Sequence, residues 1–214
     1  MASGVIAVVD YGMGNLRSVQ QALARVAKGG DVVVTSKASV ISRAERVVFP
    51  GQGAMPDCMR ELDARGLRDA VLEAAKNKPF LGICIGQQML FEYSEEGGVP
   101  GLGIFPGRVR RFPVEKMRGG DGVRLKVPHM GWNRVVQARL HPLWNGIDDG
   151  ARFYFVHSYY ADPADFSTVA GVTDYGLPFP SATARDNIFA IQCHPEKSAQ
   201  TGLAFLSNFI CWSP

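Results

Sequence analysis

Apolar and polar residues at the start of the chain form a strand pattern followed by a helix pattern. Residues 5–9 (VIAVV) are continuously apolar and precede a glycine-containing loop, which is typical of a buried parallel strand. Apolar residues then recur at helical spacing over residues 16–26, with Asn15 as a suitable N-cap and Gly29 and Gly30 ending the pattern. This part of the chain therefore predicts one strand–loop–helix unit.

The same order of elements recurs twice more before residue 91. The predicted elements are strands at 31–35 and 46–49, a glycine loop at 50–53, helical residues at 55–77 interrupted near Gly66, and a further strand, loop and helix at 79–90. Repeated units of this kind favour an α/β fold of flavodoxin-like type. We expect a doubly wound, mostly parallel central sheet with helices on both faces.

From about Gly97 the pattern changes to short β-rich segments separated by turn residues. These segments cover residues 103–112, 131–138, 152–160, 168–173 and 188–194. We expect them to form an antiparallel or mixed extension of the same sheet, followed by an amphipathic helix over 198–210. No repeat or interdomain linker is visible, so the prediction is a single domain spanning residues 1–214.

Composition excludes several classes of protein. The 214 residues are 46% hydrophobic and 20% charged, with a mean hydropathy of −0.01, as in ordinary globular chains. The net charge of +3 is too small to indicate binding to nucleic acid or membranes. No apolar run approaches the ~20 residues of a membrane helix, and residues 1–4 carry no charged side chain of a signal peptide. We therefore expect a cytoplasmic protein whose four cysteines, which form no C-x-x-C pair, are reduced.

Residues 82–86 (GICIG) have the pattern of a nucleophile elbow, in which a reactive side chain occupies a sharp turn from strand to helix. Cys84 would then lie at a helix N-terminus, where the helix dipole favours the thiolate. The backbone N–H of Ile85 would point to the position where an oxyanion forms. The pentapeptide alone is equally compatible with a structural cysteine that ends a buried strand.

A base for this thiol is suggested by His194-Pro195-Glu196, which follows the apolar residues 188–192. Doubly wound sheets place their sites at such carboxyl ends of strands. Residues i and i+2 of an extended segment project to the same side, so Glu196 can reach the His194 imidazole and fix its tautomer. The other histidines have no carboxylate two residues away and are expected in the core or in turns: His129, His141 and His157.

The loop Pro50-Gly51-Gln52-Gly53 is a second candidate, because its backbone N–H groups could stabilise an oxyanion. The alternative is a plain type II turn. The pair Gly12 and Gly14 fails the dinucleotide fingerprint, whose third glycine would fall at Arg17. Since there is neither a Walker sequence nor zinc-ligand spacing, we expect no cofactor and no metal.

Taken together, residues 82–88 (GICIGQQ) and 194–196 (HPE) resemble the triad-type, class I glutamine amidotransferases. Within that family, five blocks are similar to the glutaminase subunits of imidazole glycerol phosphate synthases, namely residues 10–15, 50–54, 131–133, 154–159 and 194–198. Two positions depart from the expected pattern: Gln52 replaces a valine, and Ile85-Gly86-Gln87 replaces Leu-Gly-Met. In the family, backbone groups rather than side chains act at both positions, so the two departures leave the resemblance intact.

The resemblance implies an α/β enzyme that hydrolyses L-glutamine to glutamate and ammonia without a cofactor. It assigns Cys84 as nucleophile, His194 as the group that moves the proton, and Glu196 as the carboxylate that orients His194. Further residues are implied at the oxyanion hole (Gln52, Gly53, Ile85), around the amino-acid end of glutamine (Gln88, Glu96, Ser158, Tyr159) and towards the partner (Tyr154, Lys197).

The implied partner is a (β/α)₈ cyclase subunit that makes imidazole glycerol phosphate and aminoimidazole carboxamide ribotide in histidine biosynthesis. That fold typically needs ~250 residues, so we expect it on a separate chain. Two alternatives stay open: a class I glutaminase serving another acceptor, such as chorismate or a nucleotide, and a stand-alone cysteine hydrolase acting on peptides or esters. The hydrolase would have no use for Lys197-Ser198 or for Gly131-Trp132-Asn133.

Overall fold

The computed structural model describes residues 4–27, 29–115, 117–120 and 122–214. The first half contains β1 (Ile6–Val9), α1 (Leu16–Val26), β2 (Val32–Thr35), α2 (Ala38–Arg43), β3 (Arg46–Gly51), α3 (Met55–Ala64), α4 (Arg68–Asn77), β4 (Phe80–Cys84) and α5 (Ile85–Gln88). The second half contains β5 (Phe91–Ser94), β6 (Val99–Pro100), β7 (Phe105–Arg111), β8 (His129–Gln137), β9 (Ala151–His157), β10 (Tyr159–Pro163), β11 (Val169–Asp174), β12 (Pro178–Arg185), β13 (Ile188–Ile191) and α6 (Ala199–Cys211). Residues 1–3, on which the signal-peptide expectation partly rests, lie outside the described residues.

A nine-stranded mixed sheet forms the centre of the fold, in the order β2-β1-β3-β4-β13-β12-β11-β8-β9. The ladders from β2 to β13 are parallel, whereas those from β13 to β9 are antiparallel. The predicted α/β class is therefore confirmed, and the antiparallel half is the expected extension of the sheet. The strands β1 and β13 are buried throughout, as their continuous apolar sequences require.

The connections place helices on both faces of this sheet. The chain moves in one direction from β1 to β2 and in the opposite direction from β2 through β3 to β4. Because such crossovers are right-handed, α1 lies on one face and α2, α3 and α4 lie on the other. The helix α6 packs beside α1, and α2 packs beside α4. The strand order reverses between β1 and β3, and sheets with such a reversal commonly bind ligands at the carboxyl ends of their parallel strands.

A second sheet of four strands, in the order β10-β7-β5-β6, corrects one part of the sequence prediction. The segment 103–112 was expected to extend the main sheet, but β7 belongs to this smaller sheet. The segment 152–160 was expected to be one strand, but it divides at Ser158 into β9 of the main sheet and β10 of the smaller one. Phe153, Phe155 and His157 are buried, as are Ala161 and Pro163, whereas Tyr159 between them is half-buried. Because aromatic or apolar residues still occupy these alternate positions, the sequence carries no sign of the break.

Two further differences concern helices. The helix predicted after residue 86 is a single turn of four residues, because the chain enters β5 at Phe91. It therefore supplies much less dipole than the expected longer helix. Asn15 does occupy the N-cap position of α1, but its side chain makes no capping hydrogen bond. No helix in the described part of the chain combines the length and apolar character needed to cross a membrane.

Candidate active site

Cys84 occupies a sharp turn at the end of β4, with φ of 57° and ψ of −113°. This left-handed conformation is uncommon for a residue with a side chain and is held by the packing around it. A Cβ atom on Gly86 would lie 1.8 Å from the Phe49 carbonyl oxygen, and one on Gly82 would lie 3.1 Å from the Ala190 Cβ. Gly86 is thus required by the close approach of the β3 backbone, and Gly82 leaves little room for any larger residue.

His194 lies directly beyond β13 and is only 3% exposed. Its Nδ1 atom is 2.8 Å from the Glu196 Oε1 atom, and both side chains are buried. The His194 backbone N–H donates to the Tyr154 carbonyl oxygen at 2.8 Å, and the Ser198 hydroxyl donates to the His194 carbonyl oxygen at 2.6 Å. These contacts fix both the ring and the backbone of His194.

The electrostatics at His194 favour a charged imidazolium. Burial alone would lower the pKa of His194, but Cys84 and the Glu196 carboxylate outweigh burial and raise this pKa to about 10. The Nε2 atom of His194 is buried and has no hydrogen-bond partner among the described residues. Because Glu196 holds Nδ1, Nε2 is the nitrogen left to exchange a proton with a reacting group.

A pocket of about 310 Å³ lies over Cys84 and His194. It brings together nine of the residues singled out from the sequence: Gln52, Gly53, Cys84, Ile85, Gln88, Glu96, Ser158, Tyr159 and His194. The remaining lining residues are Pro128, Val156 and His157. Glu196 lies behind the His194 ring, whereas Tyr154 and Lys197 are outside the pocket. Within the described residues there is no cluster of His, Cys, Asp or Glu side chains that could hold a metal ion.

The loop at residues 50–53 is held from behind by two buried side chains. The Tyr11 hydroxyl donates to the Pro50 carbonyl oxygen at 2.9 Å, and the Cys58 thiol donates to the Gln52 carbonyl oxygen at 3.5 Å. Burial raises the pKa of Cys58 to about 11, so the thiol keeps its proton. A trans peptide points its carbonyl and its N–H in opposite directions, so the Gly53 N–H points away from Cys58.

The type II turn considered for this loop is wrong. Pro50 and Gly51 continue β3 and pair with Ile83 and Cys84 of β4. A Cβ atom on Gly51 would lie 2.6 Å from the Tyr11 hydroxyl oxygen, so only glycine fits there. The loop therefore begins beside the nucleophile position, as the ladder between β3 and β4 dictates.

Gln88 lines the pocket, and Gln192 lies behind it. Gln88 is buried, and its Nε2 atom donates to the Tyr159 carbonyl oxygen at 3.0 Å and to the Gln192 Oε1 atom at 2.9 Å. The Gln192 Nε2 atom lies 3.8 Å from the Cys84 sulfur. Sequence reasoning missed Gln192. The same alternation that placed Glu196 beside His194 could have found it two residues before His194.

Glu96 lies on the opposite wall and is half-buried. Its Oε2 atom accepts a hydrogen bond from the Met55 backbone N–H at 2.8 Å, at the first residue of α3. Burial raises the pKa of Glu96, although the Met55 bond opposes this shift. A carboxylate held in this way presents its second oxygen as an acceptor for a positively charged group.

Tyr154 and Lys197 meet on the surface beside the pocket. The Lys197 Nζ atom lies 5.9 Å from the centroid of the Tyr154 ring, and the Trp132 ring meets the same tyrosine edge-on at 6.3 Å. Met130 and Trp132 on β8 are 62% and 47% exposed. We call these four residues the rim surface. Large exposed apolar side chains of this kind are typical of a binding face.

Comparison with known proteins agrees with this geometry. The family model "Glutamine amidotransferase class-I" matches residues 7–211. The chain is 66% identical over 214 residues to "Imidazole glycerol phosphate synthase subunit HisH" of Dechloromonas aromatica (strain RCB), covering 100% of this chain and 99% of that one. It is 67% identical over 209 residues to the protein of the same name in Aromatoleum aromaticum, covering 98% and 99% of the two chains.

Two solved structures share the fold at low sequence identity. "PurLQS from Thermotoga maritima" superposes with a TM-score of 0.71 at 18% identity, covering 98% of both chains. A structure described as "glutamine amidotransferase" gives a TM-score of 0.69 at 18% identity, covering 96% of this chain and 99% of that one. The chain is a glutamine amidotransferase: it belongs to the class I family and, within it, to the HisH subunits of imidazole glycerol phosphate synthase.

Proposed function

We propose that this chain is one glutaminase domain, spanning residues 1–214, that hydrolyses L-glutamine and passes ammonia to a separate synthase subunit. One observation carries the proposal. Cys84, on a strained turn, and His194, held by Glu196 at 2.8 Å, line the same pocket. A thiol, a base and a carboxylate that orients the base are the groups needed for nucleophilic attack on an amide.

In the first half of the reaction, the Cys84 thiolate attacks the carbon of the glutamine side-chain amide. The carbon–nitrogen bond breaks as His194 gives its Nε2 proton to the leaving nitrogen, which departs as ammonia and leaves a thioester on Cys84. Water then attacks the thioester while His194 takes the water proton. The carbon–sulfur bond breaks, glutamate is released, and the thiolate is restored.

The oxyanion that forms in both steps needs donors close to Cys84. The Ile85 N–H follows the nucleophile, and the backbone of Gln52 and Gly53 borders the same pocket. Gly53 has a φ of +105°, and a peptide flanked by glycines can rotate at little steric cost. A misaimed donor is costly for catalysis, because losing one typically reduces the rate by about 10²–10³.

The amino-acid end of glutamine would lie between the two walls of the pocket. The Glu96 carboxylate suits the α-ammonium group, and its anchored Oε2 keeps the second oxygen in place. Ser158 and Tyr159 offer hydroxyl and backbone groups to the α-carboxylate, whereas both amide hydrogens of Gln88 are already donated and its free Oε1 suits the α-ammonium group. Selectivity for glutamine over glutamate would then come from the amide end, where a second carboxylate would repel the Cys84 thiolate.

The acceptor of the ammonia is proposed to be a (β/α)₈ subunit that makes imidazole glycerol phosphate and aminoimidazole carboxamide ribotide in the cytoplasm. Free ammonia in neutral water is mostly ammonium, which is not a nucleophile, so a closed route between subunits protects the product. The rim surface suits this docking. Lys197 is adjacent to Glu196, and the Tyr154 carbonyl oxygen holds the His194 backbone.

The proposal is tested by measuring glutamate release from the chain alone, with the synthase subunit, and with the synthase subunit carrying its nucleotide ligand. We expect slow release alone and fast release only in the third case, because glutamine hydrolysed without an acceptor is wasted. Equal rates in all three cases would favour the stand-alone hydrolase. Stimulation by a chorismate-using or nucleotide-using enzyme instead would favour the other acceptor class.

A further inference from the structure

Two buried histidines lie opposite each other where β8 begins and β9 ends. His129 and His157 are cross-strand partners in the ladder and are 2% and 6% exposed. The His129 Nδ1 atom lies 2.9 Å from the His157 Nε2 atom. One of these nitrogens must carry a proton and donate the hydrogen bond, and the other must accept that bond. The hydrogen bond between the two rings therefore has a direction.

The groups at the two ends of the pair set that direction. The His157 Nδ1 atom lies 2.8 Å from the Tyr159 carbonyl oxygen, which can only accept, so Nδ1 carries the proton and Nε2 accepts from His129. The His129 Nε2 atom is then an acceptor, and the Asn133 amide nitrogen lies 3.2 Å from it. The same amide nitrogen donates its second hydrogen to the Asp174 carbonyl oxygen at 2.8 Å. Every donor and acceptor in this chain of hydrogen bonds is matched.

The surroundings keep both rings neutral. His129 stacks on Tyr175 at 3.9 Å and on Phe155 at 4.8 Å, and the His157 ring lies 5.2 Å from Phe179. Burial lowers the pKa of His129 to about 4. Burial, reinforced by His129, lowers the pKa of His157 to about 3, although the bond to the Tyr159 carbonyl opposes this shift. A neutral pair can hold only the single arrangement of protons that the two ends require.

The chain of hydrogen bonds ends at the backbone that lines the pocket. His157, Ser158 and Tyr159 all line it, at the point where the chain leaves β9 and enters β10. The Tyr159 carbonyl oxygen accepts two side-chain hydrogen bonds, from His157 at 2.8 Å and from Gln88 at 3.0 Å. Backbone pairing holds both sides of this point, since His157 pairs with His129 of β8 and Tyr159 pairs with Arg111 of β7. The side-chain hydrogen bonds to the Tyr159 carbonyl oxygen add to this pairing where the chain passes from one sheet to the other.

We infer that His157, supported by His129 and Asn133, is a positioning residue that holds the Ser158–Tyr159 backbone in the geometry needed to bind glutamine. The inference rests on the proposed function, in which this wall receives the amino-acid end of the substrate. His157 touches no reacting atom in this account. Its loss therefore weakens substrate binding and leaves the chemical step almost unchanged.

Two substitutions at His157 separate a positioning role from simple packing. His157→Phe keeps a ring but removes the hydrogen bond to Tyr159. His157→Asn places an amide N–H near the position of Nδ1 and can keep that bond. In the complex with the synthase subunit, we expect His157→Phe to raise the KM for glutamine about tenfold, as loss of one buried hydrogen bond implies, with kcat within about threefold of wild type. His157→Asn should recover most of the KM.

His141→Phe is the matched control, since His141 packs on Phe189 and Trp212 outside the pocket, and its KM should stay at the wild-type value. Three outcomes would overturn the inference: an unchanged KM in His157→Phe, equal KM values in the Phe and Asn variants, or a loss confined to kcat. A wild-type complex that releases no glutamate would instead overturn the proposed function. In that case the inference fails if ring ¹⁵N spectra show His157 protonated at Nε2 rather than Nδ1.

Discussion

His194 and His157 line the same pocket, and both are almost fully buried, yet their pKa values move in opposite directions. His194 has Cys84 and the Glu196 carboxylate beside it, and its pKa rises to about 10. His157 has a second imidazole and aromatic rings beside it, and its pKa falls to about 3. Burial is common to both. The neighbouring groups therefore decide which histidine carries a proton at neutral pH.

This difference in pKa gives the two histidines different roles in the same pocket. A histidine that is charged at neutral pH can hand a proton to a leaving group and stabilise a thiolate. A histidine that stays neutral in one tautomer holds a backbone carbonyl in place without competing for the substrate's protons.

The largest expected effect comes from removing the thiol of Cys84, which lies beside His194 and not beside His157. We expect Cys84→Ala to abolish synthesis driven by glutamine and to leave synthesis driven by an ammonium salt, because only ammonia production needs the thiolate. The assay compares the two nitrogen sources in the complex. Cys211→Ala, at an exposed cysteine, is the control and should behave as wild type. Persistent glutamine-driven synthesis in Cys84→Ala would make Cys84 structural.

Glu196→Gln makes the surroundings of His194 more similar to those of His157. We expect a loss of glutaminase activity of about 10²–10⁴-fold, smaller than that of Cys84→Ala, since the nucleophile and imidazole remain. Without the carboxylate the pKa of His194 falls, so the alkaline limb of the pH–rate profile should move to lower pH. A wild-type rate with an unchanged profile would remove Glu196 from the mechanism.

The lowered pKa values of His129 and His157 predict that the protein loses stability in acid. An unfolded histidine has a pKa near 6.5, whereas His129 and His157 are held at about 4 and about 3. Folding therefore favours the neutral rings, and this contribution is complete above pH 6.5 and is lost as the pH falls towards 4. At pH 5 the loss is about 2 kcal/mol for one histidine. Urea unfolding at pH 7 and pH 5 measures it, and His129→Leu should reduce the difference between the two values.

The smallest expected effect concerns the surface beside His194. Lys197 lies over the Tyr154 ring at the rim surface, and an exposed contact of this kind is worth about 0.5–1 kcal/mol. We expect Lys197→Ala to reduce the stimulation of glutaminase activity by the synthase subunit about threefold. The activity of the isolated chain should not change. Lys78→Ala, far along the chain at the end of α4, serves as a control, and equal stimulation in both variants would exclude Lys197 from the coupling.

The residues around His194 could be predicted because their signals are local. Two glycines within five residues indicate the elbow at Cys84, and alternation along an extended segment places Glu196 beside His194. Strands β1, β3 and β4 were equally predictable from continuous apolar runs. In each case the deciding neighbours lie within a few positions of one another along the chain.

The surroundings of His157 could not be predicted in this way. Its partner His129 lies 28 residues earlier and reaches it only through the ladder between β8 and β9. The break between β9 and β10 leaves no trace in the hydrophobic pattern, because aromatic or apolar residues occupy alternate positions on both sides of Ser158. A histidine without a nearby carboxylate was therefore interpreted as a core or turn residue. That description fits its burial but does not reveal its place in the pocket wall.

The difference between His194 and His157 is tested most directly by measuring the protonation state of their ring nitrogens. The chain has only four histidines, so a sample labelled with ¹⁵N-histidine gives four ring systems that single substitutions can assign. At pH 7 we expect both nitrogens of His194 to be protonated, and His157 to be neutral with its proton on Nδ1. A neutral His194 or a charged His157 at this pH would contradict the claim that neighbouring groups decide which of two buried histidines is charged.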